Sequence, residues 1–325
     1  MPAAPDDTET RSPLTTGAWS TADAGTGRPM RVLVSGSSGF IGRALRGALE
    51  SAGHVPVRLV RGPATGPDQI SWDIVAGRLD PGALAGIDAV VHLSGAGIGD
   101  HRWTGGYKRE ILDSRVKSTD LLVATLIAMD VPPSVLVSGS AIGFYGNRGD
   151  EELTEESAAG TNFLALVTDA WEGAAAPAAA AGIRTVLLRS GLVFDRGGGT
   201  LARLLPLFSS GLGGAIGKGT QWWSWIALDD EIGAILHSLD TAGLRGPVNA
   251  TAPNPVTNAE FTKALGRALR RPTALRVPAR VLGLALGRER AGELMLTSQR
   301  VLPRALERSG FRFRYPTLAE FLATF

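Results

Sequence analysis

Gly36, Gly39 and Gly42 stand three residues apart, where an apolar, β-branched run gives way to helical periodicity. Residues of that type at that spacing can hold a pyrophosphate. Gly36 permits the turn, and Gly39 lets the backbone of Ser37, Ser38, Phe40 and Ile41 approach the phosphates. Gly42 lets the helix pack on the strand, and the phosphate sits at a positive helix N-terminus. Further candidates for the same ligand lie at the ends of later apolar runs. Leu93, Ser94, Gly95 and Ala96 are small or apolar where ribose and phosphates pass, and Ser138 closes another run. Asp73 offers a carboxylate to an adenine amino group, the lesser alternative being a helix or turn cap. Enzymes that use NAD usually carry an acid about 20 residues after the glycines. Here residues 56–63 carry no acid but two arginines, Arg58 and Arg61, and Arg61 at the strand end suits a 2′-phosphate. The expected cofactor is NADP(H) in preference to NAD(H).

Those residues need elements to position them. The pattern predicts strands over residues 31–35, 56–60, 70–74, 89–93, 134–138 and 184–189, and helices from Phe40, over 105–129 and over 161–181. Strands alternating with helices imply right-handed crossovers and an α/β Rossmann fold, a doubly wound parallel sheet. Ligands of such sheets lie beyond the carboxyl ends of the strands, where the candidate residues fall. After Phe194 the pattern changes to glycine-rich stretches and an aromatic cluster, Gln221-Trp-Trp-Ser-Trp225. This is read as a smaller C-terminal substrate lobe with Gln221, Trp222 and Trp225 lining its pocket. The expected domains are residues 30–195 for the cofactor and 196–325 for the lobe, partly intertwined, with a distinct segment from about 271. Thr257 or Asn258 is the expected cap of a helix, and Asp229 and Asp230 cap one running from Glu231.

Composition narrows the chemistry. The 325 residues carry a net charge of +2, without a basic block for nucleic acid. The chain has no cysteine and four histidines, none at metal-ligand spacing, which argues against disulfides, thiol nucleophiles and a zinc site. Residues 1–29 are polar and poor in large apolar side chains, the composition of a disordered tail without the features of a signal peptide. Met30, directly before the first strand, is a candidate start of the folded chain. No segment has the roughly 18 apolar residues of a membrane span, so a cytoplasmic protein, monomer or homodimer, is expected.

The glycine turn, Ser138-Gly-Ser-Ala-Ile-Gly-Phe-Tyr-Gly146 and Ser224-Trp-Ile-Ala-Leu-Asp-Asp230 together resemble the extended short-chain dehydrogenase/reductase superfamily. Residues 103–115, Asn162-Phe-Leu164, Trp171-Glu172, Gly246-Pro-Val-Asn249 and Gln299-Arg-Val-Leu-Pro-Arg304 resemble one atypical subgroup more narrowly. It is the epimerase family of NAD-dependent epimerase/dehydratase proteins with a C-terminal domain of unknown function, and the resemblance covers residues 30–325. It implies an NADP(H)-binding Rossmann domain with an unsettled small-molecule substrate, and the first reading is an NADP(H)-dependent oxidoreductase with an altered proton donor. Superfamily catalysis resembles a Ser, Tyr, Lys set with Tyr and Lys four apart on one helical face, the ammonium lowering the phenol pKa. Ser140 fits the serine. The positions for the pair are Phe163 and Val167, and no Tyr-x-x-x-Lys occurs anywhere in the chain. Tyr145 is then the best remaining proton donor, unless it only packs its loop. A missing tyrosine withdraws a contribution commonly worth about 10²–10⁴ in rate. Two alternatives therefore stand beside an oxidoreductase: a nucleotide-sugar epimerase or dehydratase, and a non-catalytic NADP(H)-binding sensor.

Overall fold

The computed structural model describes residues 29–325. The expectations for residues 1–28 lie outside it. Seven parallel strands form the central sheet: β1 (Arg31–Ser35), β2 (Val55–Val60), β3 (Gln69–Ser71), β4 (Ala89–His92), β5 (Val135–Ala141), β6 (Arg184–Ser190) and β7 (Gly246–Ala250). Their spatial order, β7-β6-β5-β4-β1-β2-β3, is that of a doubly wound Rossmann sheet, with the order reversing between β1 and β4.

Both faces of the sheet are covered, which explains why the strands read as unbroken apolar runs. Successive side chains point to opposite faces. Val32 and Val34 enter a core with Leu45 and Leu49 of α1 (Phe40–Ser51) and Ile232 and Ile235 of α5 (Leu228–Asp240). Leu33, Val90 and Leu136 enter the other, against Leu122 and Leu126 of α2 (Gly105–Ile127). The helix α3 (Phe163–Ala180) packs beside α2 on that second face.

Three boundaries differ from the sequence reading. The third strand stops at Ser71, so Asp73 lies beyond it in a turn. The fifth continues through Gly139 and Ser140 to Ala141, although Ser-Gly-Ser reads as a loop. The seventh strand is not apparent in the sequence because it opens on Gly246-Pro247. It pairs on one side only, with β6, and proline is tolerated on such an edge.

From Phe194 onward the polypeptide builds a third core, from Phe194, Phe208, Trp223, Trp225, Phe261 and Phe321. It includes α4 (Gly199–Ser209) and α6 (Asn258–Ala268). Thr257 caps α6 in a reciprocal capping box with Glu260. Asp229 and Asp230 behave differently from the expected caps. The helix α5 already begins at Leu228, and Asp230 instead accepts the backbone N–H groups of Arg314 (2.6 Å) and Tyr315 (2.9 Å), fastening the end of the chain. Burial raises the Asp230 pKa to about 6 against those two bonds.

Candidate cofactor and substrate site

The glycine turn closes tightly. Gly36 has φ +66°, and a Cβ there would stand 2.7 Å from the Leu93 carbonyl oxygen. A Cβ on Gly42 would stand 2.3 Å from the Gly36 oxygen, so helix and turn touch only because both positions lack a side chain. The helix α1 begins from Gly39 with no side-chain cap and no acid in its first turn. The first-turn N–H groups of Phe40 and Ile41 have no intrahelical acceptor, which leaves them for an anion. Leu93 donates its N–H to Ser35 Oγ at 3.0 Å, holding the 93–96 segment beside the turn. Gly198 and Gly199 lie against the Phe40 ring, so the start of the lobe reaches over the turn. This cradle fits a dinucleotide pyrophosphate.

Arg61 is exposed just past β2 and pairs with no acid among the described residues, whereas Arg58 is bound to Asp68 at 2.8 Å. Arg43, which the sequence reading passed over, folds back from α1 onto the Ser38 carbonyl at 2.5 Å and adds a second cation beside the turn. Asp73 is otherwise engaged. Its carboxylate accepts from Ala76 N at 2.9 Å and pairs with Arg78 at 3.0 Å, which holds a turn just beyond the strand end.

A cleft of about 150 Å³ opens at the carboxyl ends of β5 and β6. Ala141, Ile142, Gly143, Val167, Trp171 and Ser190 form its inner side, and Trp222, Glu293 and Gln299 reach in from the lobe. A larger, open depression of about 440 Å³ lies at the amino ends of the strands, around Asp88 and Ser134. It is remote from the glycine turn, and ligands of doubly wound sheets bind at the other end.

Of the expected pocket residues, Trp222 lines the cleft. Trp225 is fully buried, stacked on Phe194 at 5.8 Å, and belongs to the lobe core. Gln221 is also buried, donating to the Ile216 and Met295 carbonyls. An aromatic-rich string cannot show which of its alternate side chains face inward until the pairing partner is known.

Ser138, Ser140 and Tyr145 do not line the cleft either. Ser138 is fully buried inside the extended β5. Ser140 donates to Glu172 at 2.5 Å, and Glu172 forms a bidentate pair with Arg189, at 2.7 and 2.8 Å. Arg189 also donates to the Tyr145 hydroxyl at 2.9 Å, which in turn donates to Asn249 at 2.6 Å. Burial raises the Tyr145 pKa, against the opposing pull of Arg189. A fully buried phenol with both bonding directions occupied is a structural tie, not a proton donor to the cleft. Val167 does line the cleft, while Phe163 packs edge-on against Trp103 at 5.1 Å with Lys108 over its ring at 4.3 Å.

The sequence reading also missed three charged residues. Glu293, in a π-helical turn (Gly292–Leu296), accepts from Asn162 Nδ2 and from the N–H groups of Phe163 and Leu164, at 2.8–3.1 Å. A carboxylate from far along the chain thus caps α3, as the helix dipole favours. Arg115 of α2 lines the cleft floor. Glu231 of α5 is fully buried, accepting from the cleft-lining Ser190 hydroxyl at 2.6 Å, while its Oε2 has no partner. Burial raises the Glu231 pKa to about 7, opposed by that hydrogen bond. Buried His92, bonded to Ser35 and Thr119, is pushed down to about 4 by desolvation.

These shifts set opposite pH dependences. Glu231 keeps its proton in the fold while the unfolded chain ionises near 4.5, so its contribution to stability falls as pH rises from 4.5 to 7. His92 costs stability as pH falls from 6.5 to 4. Glu231→Gln should therefore gain on the wild type across pH 4.5–7 by up to on the order of 3 kcal/mol. Parallel denaturant titrations at several pH values measure this, and a constant difference would show that Glu231 is ionised in the fold.

The family model described as the NAD dependent epimerase/dehydratase family matches residues 32–249. The chain belongs to that family. A domain of unknown function matches residues 277–325, the part that supplies Glu293 and Gln299 to the cleft wall. This family member is 45% identical to the epimerase family protein Mb2239 of Mycobacterium bovis over 291 residues, 90% of this chain and 96% of that one. The crystal structure of human epimerase family protein SDR39U1 with NADPH superposes with a TM-score of 0.82 at 34% identity, covering 91% of this chain and 98% of that one. A nucleoside-diphosphate sugar epimerase from Corynebacterium glutamicum gives 0.76 at 38% identity, over 93% of this chain and 59% of that longer one. Among the described residues, no helix of this epimerase-family chain is long and apolar enough to cross a membrane.

Proposed function

We propose that this epimerase-family protein is an NADP(H)-dependent oxidoreductase acting on a small carbonyl or alcohol substrate. The observation that carries the reading is the glycine cradle, fit for a pyrophosphate, at the same end of the sheet as a small cleft. The NADPH in the human relative's structure supports the choice of cofactor. When bound, the cofactor supplies or accepts a hydride. The protein's residues then hold the phosphates at residues 36–41, exclude water beneath the lobe, and handle the proton.

Ser190 is the proton donor assigned by this reading, with Glu231 as the positioning acid behind it. Ser190 is a cleft-lining hydroxyl with a titratable partner, whereas Thr168 and Ser224 donate to backbone carbonyls. The relay needs this hydrogen bond reversed: with Glu231 neutral, its carboxylic O–H donates to Ser190 Oγ, the serine hydrogen turns to the cleft, and the Glu231 proton passes to Oγ as that hydrogen leaves for a developing alkoxide. A nucleotide-sugar epimerase, the activity for which the Corynebacterium relative is named, is less well supported. Among the described residues neither tyrosine nor lysine lines the cleft.

The test is a fluorescence titration with NADPH followed by turnover of a carbonyl panel. Saturable NADPH binding with no turnover of any panel member would set the oxidoreductase reading aside and leave the sensor and epimerase readings. Arg61→Ala should weaken NADPH by about tenfold or more, the worth of one charge-assisted contact, with NADH nearly unchanged. Equal losses would place the 2′-phosphate elsewhere.

A further inference from the structure

Among the described residues, Arg115 is a cation set into the cleft without a counter-ion. It projects from α2 between Gly95, whose Cβ would stand 3.0 Å from its Cζ, and the Trp171 ring, 5.1 Å away. Both Arg115 and Trp171 line the cleft. Its Nη1 donates to the carbonyls of Ala96 (2.9 Å) and Ile111 (3.0 Å). Among the described residues its Nε and Nη2 have no hydrogen-bond partner and no carboxylate pairs with it. Burial pulls its pKa to about 10, so it is still cationic at neutral pH. The carboxylate in the same wall, Glu293, is already committed to three donors at the start of α3. The Trp171 indole N–H is also buried without an acceptor.

A half-buried guanidinium is normally matched by an acid, because leaving it unmatched costs free energy. The buried arginine on the neighbouring strand, Arg189, has such a match in Glu172. The contrast between the two marks Arg115 as the cleft cation whose acceptor must come from outside the protein. Arginine also offers the planar fork that suits carboxylate or phosphate oxygens.

We infer that the cleft binds a substrate through an anionic group, carboxylate or phosphate, held by Arg115 against Trp171. Arg115 is then a specificity-determining residue, selecting anionic substrates over neutral analogues of the same shape. The inference rests on the oxidoreductase reading, since it supplies the substrate class for the same cleft.

The test uses the full chain, first saturated with NADPH and then titrated calorimetrically with malonate, with neutral malonamide of the same shape, and with UDP. Malonate, UDP or both should bind the wild type, while malonamide should not. Arg115→Met should weaken that binding by at least about tenfold, as loss of a charge-assisted contact requires. Arg115→Lys, which keeps the charge but not the fork, should fall between. Comparing malonate with UDP identifies the carboxylate or phosphate source. Unchanged anion binding in Arg115→Met overturns the inference, as does equal binding of malonamide. So does an equal loss of NADPH affinity in Arg115→Met, which would assign Arg115 to the cofactor. A wild type that fails the first NADPH titration defeats the oxidoreductase reading instead, and repeating the anion titrations without cofactor separates the two failures.

Discussion

Gly39→Val is expected to lose NADPH binding by about 10²–10⁴-fold while the protein stays folded. The two claims have separate causes. A side chain at Gly39, the cap residue of α1, would project where the phosphates must approach the unsatisfied N–H groups of the first turn. Hydrogen bonds to a charged ligand are worth about 1.5–3 kcal/mol each, so losing two costs about 3–6 kcal/mol. At about 1.4 kcal/mol per decade that is the stated range. The fold tolerates the change better than at the flanking glycines. A Cβ at Gly39 stands 3.1 Å from the Gly36 oxygen, a contact that small shifts relieve, and Gly39 φ is −71°. At Gly42 the same atom would be 2.3 Å away, and at Gly36 φ is positive as well. Gly42→Val is therefore expected to unfold or aggregate, and the pair of variants separates the phosphate cradle from packing. Unchanged NADPH affinity in a folded Gly39→Val would move the pyrophosphate off this turn.

The sheet was legible because burial on both faces leaves a mark that survives without its neighbours. Val32, Leu33 and Val34 are apolar in succession because they feed two different cores. The glycine turn was legible for a similar reason, since contact distances inside one short segment dictate its residues. The cleft was not legible in the same way. Ser140 and Tyr145 have the residue types of catalytic groups, yet each is turned to a partner about 30 or 100 residues away in the sequence, Glu172 and Asn249. Glu293 reaches α3 across about 130 residues. Arg115 and Glu231 sit in helices whose polar residues look like solvated surface until the packing shows what is missing around them. One signal was available for Glu231. It directly precedes Ile232 and stands one turn before Ile235, both core residues, which is an unusual place for an acid that faces solvent.

The second large effect is expected at Glu172. Its carboxylate is the counter-ion of Arg189, whose side chain is 3% exposed, and it also accepts from Ser140. Removing it in Glu172→Ala strands a buried guanidinium, and breaking a buried pair from one side costs about 3–5 kcal/mol. For a chain this size that is a melting-temperature loss of about 4–8 °C. Tyr145→Phe removes one hydroxyl from the same network and leaves Asn249 Oδ1 and one Arg189 N–H short of a partner, a cost of about 1–3 kcal/mol. Neither side chain lines the cleft, so NADPH affinity measured on the folded fraction should be unchanged in both. The double variant decides whether they act together. Once Glu172 is gone the network is already broken, so adding Tyr145→Phe should cost less than it does alone, a coupling of about 0.5–3 kcal/mol. Strict additivity would mean that the two bonds to Arg189 are independent. A folded Tyr145→Phe that kept its stability but lost turnover on a substrate the wild type reduces would return Tyr145 to the chemistry and displace Ser190.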